Sequence, residues 1–98
     1  MRFTIALMVC CLLAACGKPV KPEFDREQVI LQRHFMSSAE LASAAQARGL
    51  IGKERGFAVW SPSDNQCDVY LQQPKAVDDD ITMTLGHEVL HCLIGQYH

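Results

Sequence analysis

The chain reads as a small α+β domain, an antiparallel sheet of about three strands with two helices, the second of them near the C-terminus. Three observations point there. Two short runs of β-branched and aromatic residues flank a cluster of turn formers, which is hairpin patterning. Two other stretches open with helix-start signals and continue with helix formers or a one-sided apolar pattern. Finally, 98 residues with 49% hydrophobic side chains supply one hydrophobic core and no more. Charge excludes other classes. Nine Lys+Arg against eleven Asp+Glu leave a net charge of −2, too weak a field for a nucleic-acid binder held by phosphate neutralisation. No apolar run reaches the roughly 18 residues of a spanning helix, and no heptad or longer period recurs.

Residues 1–15 have the anatomy of a signal peptide. Met1-Arg2 is a basic start, residues 3–13 are apolar except Thr4, and small residues follow at a cleavage point. Leu13-Ala14-Ala15-Cys16 resembles the lipobox of bacterial lipoproteins. The resemblance implies cleavage before Cys16 and lipid on its thiol and new amine. With Gly17 rather than an acid next, it implies anchoring in the outer membrane, facing the periplasm. The alternative is an ordinary signal peptide with a chance cysteine. Cleavage leaves 83 residues and, without Arg2, a net charge of −3. Residues 16–25, with Pro19 and Pro22, read as a lipidated tether, and residues 26–98 as the domain.

Val29-Ile30-Leu31 with its continuation to Phe35 reads as the first strand, a helix over residues 24–34 being the competing assignment. Ser37 and Glu40 then form a capping box ahead of a helix-rich stretch that Gly49 stops. Residues 56–60 and 67–71 read as the two strands of an antiparallel hairpin around Ser61-Pro62-Ser63-Asp64-Asn65. Asp78-Asp79-Asp80 suits the start of a last helix from about Asp79 to Ile94, ended by Gly95.

That last helix carries His87-Glu88-Val89-Leu90-His91, the H-E-x-x-H pattern. Residues four apart share a helix face, so both imidazoles can reach one tetrahedral ion. Glu88 lies about 100° around the helix, beside the open position, where it can take a proton from metal-bound water. Chance produces the pattern in roughly 1% of chains of this composition. Ile81, Leu85, Val89, Cys92 and Leu93 fall on an arc about 120–240° from His87 and are expected to face the core. Gly86 is expected to let a strand approach the helix.

A catalytic zinc usually has three protein ligands. His98 is the leading third ligand, but on a continuous helix its Cα would lie about 16 Å along the axis from that of His87. It joins the site only if Gly95 breaks the helix and turns the chain back. Cys10 and Cys11 leave with the signal peptide and Cys16 is committed to lipid. Cys67 and Cys92 remain as an even pair in an exported chain, either bonded to each other or as two buried thiols. His34 reads as a solvated or core histidine, and Trp60 and Tyr70 as hairpin packing.

From Gly56 to His98 the chain resembles zinc metallopeptidases of the zincin group. The resemblance implies zinc on His87 and His91, Glu88 as catalytic base and then acid, and a sheet strand running along a peptide or protein substrate. Its likeliest counterpart is residues 69–71. Tyr97 would be an oxyanion or substrate contact, or else a terminal aromatic packed on the helix end. The metzincin pattern H-E-x-x-H-x-x-G-x-x-H is departed from by one extra residue before Gly95. Three functions follow in order: an envelope-tethered metallopeptidase, a lipoprotein whose zinc only staples the fold, and an interaction module without metal. In the second, His34 or Asp68 would join His87, His91 and His98 to close the site with four ligands.

Overall fold

The computed structural model describes residues 18–53 and 55–98; the expected signal peptide and Cys16 lie outside the described residues. The elements run β1 (Ile30–Phe35), α1 (Ser38–Ala47), β2 (Gly56–Val59), β3 (Gln66–Leu71) and α2 (Asp80–Ile94). The fold is α+β, with two helices and a three-stranded sheet, and residues 30–35 form a strand rather than the competing helix.

The sheet order is β1-β3-β2. β2 and β3 form the expected antiparallel hairpin, Gly56 opposite Leu71 and Val59 opposite Asp68. β1 instead pairs parallel to β3, from Ile30 opposite Gln66 to Phe35 opposite Leu71. The sheet is therefore mixed, not antiparallel throughout. The connection from β1 to β3 contains α1 and is long enough for the crossover that parallel pairing needs. Hairpin chemistry is local and dictates its own direction; where the first strand docks is not local. The same topology corrects a second expectation. Residues 69–71 belong to the central strand, whose two edges are both paired, so they offer no edge to a substrate.

Strand alternation divides the core between two faces. Cys67, Val69 and Leu71 point to α2 and bury fully with Cys92. Phe57 points the other way and packs with Leu41 and Ala45 of α1, flanked by Tyr70. The Cys67–Cys92 disulfide, closing a separation of 25 residues, joins α2 to the central strand.

Local chemistry sets the helix ends. The α1 capping box is complete: the Glu40 N–H donates to Ser37 Oγ at 3.2 Å and the Ser37 N–H to Glu40 Oε1 at 3.4 Å. At α2, the Asp79 carboxylate accepts from the N–H groups of Lys75 (2.8 Å), Ala76 (3.0 Å) and Thr82 (2.7 Å) and from the Thr82 hydroxyl (2.8 Å). These bonds, that of Lys75 first, hold its carboxyl far below the usual carboxylate range.

The buried stripe of α2 is Glu88, His91 and Cys92, with Val89 and Leu93 only half-buried. The helix is thus rolled so that Glu88, about 100° from His87, lies near the middle of the buried stripe. The roll has two causes. The disulfide draws Cys92 onto the sheet, and Gly56 lets Thr84 come so close that a Cβ at Gly56 would sit 2.8 Å from its methyl. Gly86, expected to serve that role, faces open space.

Residues 21–26, read as mostly tether, are tied to the end of α2. The N–H groups of Glu23 (2.9 Å) and Phe24 (3.3 Å) donate to the Ile94 carbonyl, that of Arg26 to Leu93 (3.0 Å) and that of Lys21 to Tyr97 (3.1 Å). Arg26 Nε adds a bond to the Cys92 carbonyl at 2.8 Å. These bonds satisfy carbonyls that a helix C-terminus leaves without intrahelical partners.

Candidate metal centre

The centre begins with the end of α2. Gly95 adopts φ 71°, a left-handed backbone that favours glycine, and its N–H still donates to the His91 carbonyl at 2.8 Å. The helix stops there and the chain folds back. His98 Nε2 comes to 3.1 Å from His91 Nε2, which is 3.3 Å from His87 Nε2. The three histidines offer ligand atoms that all lie within 4.8 Å of one another.

The His91–His98 and His87–His91 separations match zinc. Two nitrogens each about 2.05 Å from a tetrahedral ion stand about 3.3 Å apart. The outer ring nitrogens are also arranged for ligation. His91 Nδ1 donates to the Gly95 carbonyl at 2.8 Å, which leaves the Nε2 lone pair facing inward. The Tyr97 hydroxyl lies 3.2 Å from the His87 carbonyl and 2.9 Å from His87 Nδ1; when it donates to the carbonyl it accepts from Nδ1, the tautomer that turns the second Nε2 lone pair inward. Tyr97 is therefore an orienting partner of His87. Burial pushes the pKa of both His87 and His91 down, toward the neutral form that a ligand needs.

Glu88 is 7% exposed, and its Oε1 lies 4.0 Å from His87 Nε2. Burial pushes its pKa up, and the positive charge of Lys53 works against that rise. A buried carboxyl whose pKa is raised binds a proton more readily than a solvated one. Glu88 lines a cavity of about 270 Å³ with His91, His98, Lys53, Phe57 and Trp60. His87, Tyr97 and His98 also line an open cavity of about 910 Å³, whose far wall is residues 18–21.

Trp60 belongs to the site. Its indole stacks on the His91 ring at 4.9 Å with 10° between planes. Sequence reasoning assigned it to hairpin packing, although Gly56, Ala58 and Trp60 share one face by alternation and the two small residues mark where a helix approaches. Lys53, in the α1–β2 loop, had no local signal. His34 and Asp68 lie on the opposite sheet face and bond each other at 2.9 Å. They do not join the three histidines, and among the described residues no further His, Cys, Asp or Glu does.

No protein-family model, curated protein or solved structure matches this chain.

Proposed function

We propose that the chain is a zinc-dependent hydrolase of peptide bonds, held in the bacterial cell envelope by lipid on Cys16. The observation that carries the reading is the convergence of three histidine nitrogens beside one buried carboxylate. His87, His91 and His98 would hold the ion. Zinc so bound supplies a Lewis acid that polarises a carbonyl and lowers the pKa of water toward 7. Glu88, next to the ligands but not among them, takes the proton of the attacking water and passes it to the leaving amine. Trp60 and Tyr97 keep His91 and His87 in place through ring stacking and a hydrogen bond.

A substrate path accompanies the site. β2 is an edge strand, and its Phe57 and Ala58 line the cavity that holds Glu88 and His91. An extended peptide adding to that edge brings its backbone carbonyls past the histidines. The alternative of a purely structural zinc asks for four protein ligands and gives Glu88 no task. Three convergent ligands and a cavity beside them favour the open, hydrolytic site.

The test is Glu88→Gln, which preserves shape and removes the base. Zinc stoichiometry and folding stay near wild type, while hydrolysis of a mixed peptide pool falls by about 10²–10⁴. Undiminished hydrolysis in the variant, or a wild-type chain that holds zinc and cleaves no peptide, defeats the mechanism.

A further inference from the structure

The third histidine is not carried by a regular element. It follows Gly95 at the end of a three-residue arm, and two exposed bonds of Gln96 Nε2 to His98, at 3.4 and 3.2 Å, do not anchor that arm to the fold. The Tyr97 hydroxyl ties the arm to His87, and a second anchor comes from the segment ahead of β1. Lys21 N–H donates to the Tyr97 carbonyl at 3.1 Å, and the N–H groups of Glu23 and Phe24 reach Ile94 just before the turn. Glu23 adds a side-chain hydrogen bond from this segment to the arm itself. Its Oε1 accepts the Gln96 N–H at 3.2 Å and the Trp60 indole N–H at 3.4 Å. Through Gln96 it holds the arm that ends in His98; through Trp60 it holds the ring stacked on His91. Gly95 leaves room for this contact, since a Cβ there would run into the side chains of Glu23 and Phe24.

We infer that Glu23 is a positioning residue of the metal centre, and that the segment preceding the fold sets how tightly the third ligand engages. The inference rests on the zinc reading and deepens it. The return of His98 is guided by an outside strap rather than by the turn alone. A consequence is mechanical: a pull on residues 18–24 is a pull on His98, so the tether and the metal site are coupled.

The experiment is a Co²⁺ titration of the full chain. Trp60 is the sole tryptophan, and a paramagnetic ion at His91 quenches the stacked indole, so its emission reports occupancy. The visible absorption of Co²⁺ reports coordination number. Glu23→Ala lowers Co²⁺ affinity by about 10–100-fold, the range typical of lost partners that orient ligands. Glu23→Gln keeps an acceptor oxygen and restores most of the affinity. In a His98→Ala background, the loss from Glu23→Ala shrinks to the part carried through Trp60 and His91, a non-additivity that general destabilisation does not produce. Wild-type affinity in Glu23→Ala, or an undiminished loss in the His98→Ala background, overturns the inference while leaving the zinc reading intact. A wild-type chain that binds no Co²⁺ overturns both.

Discussion

The two faces of the sheet each present a histidine stacked on an aromatic ring. On the α1 side His34 lies on Tyr70, centroids 4.2 Å apart and planes 9° from parallel; on the α2 side His91 lies on Trp60 at 4.9 Å and 10°. The packing is nearly the same and the chemistry is opposite. His34 places its Nε2 on the Asp68 carboxylate at 2.9 Å, in a pair that is partly exposed and complete in itself. His91 is 5% exposed, commits Nδ1 to a backbone carbonyl, and aims Nε2 at two other imidazoles. What fits a histidine for ligation is the nitrogen its surroundings leave over.

That contrast breaks most sharply at the two histidines themselves. His91→Ala is expected to abolish stoichiometric zinc, read by elemental analysis after dialysis, together with any hydrolysis. His34→Ala is expected to leave zinc content unchanged and to lower stability only slightly, because exposed ion pairs contribute little. Zinc loss in His34→Ala would erase the distinction between the faces.

The α2 face also carries the covalent staple, and the α1 face has none. Replacing Cys67 and Cys92 together with Ala is expected to lower unfolding free energy by about 3 kcal/mol, from the entropy of the released loop. Urea denaturation of the two chains measures it. Denatured, unreduced Cys16→Ser protein lacking its signal peptide should show no titratable thiol. Two free thiols would mean that α2 is held to the sheet by packing alone.

The smallest expected effect separates the two helix starts. Ser37 caps α1 with a neutral hydroxyl, so Ser37→Ala costs about 1 kcal/mol at any pH. Asp79 caps α2 with a carboxylate whose folded pKa lies below its unfolded value near 4. The sign follows from linkage: its contribution is full above the unfolded pKa and fades as pH falls toward the folded one. Asp79→Ala should therefore lower Tm by a few degrees at neutral pH and progressively less below about pH 4. A deficit that is constant with pH would show that the cap acts through shape and not through charge.

Legibility followed the range of the interaction. Ser37 with Glu40, Asp79, Gly49 and Gly95 were readable because caps and stops are satisfied within a few residues. The β2–β3 hairpin was readable from alternation around its turn formers. His87, Glu88 and His91 were readable as a set because one helix places them by its own period.

Beyond that reach, tertiary structure decided. Helix phase put Leu85 and Val89 at the centre of the buried face, yet the disulfide and Gly56 rolled α2 until Glu88 and His91 took that place. A helical wheel ranks side chains by polarity and has no knowledge of a cross-link or of a missing Cβ on a facing strand. The direction of β1, the central position of β3, the stacking of Trp60 and the anchoring of His98 by residues 21–26 share one property. Each is a contact between segments distant in sequence, where neither partner's local pattern names the other. The sequence by itself determined which residues are capable of the chemistry. Only the packed chain decided which nitrogens face one point, and which histidine is spent on a neighbour.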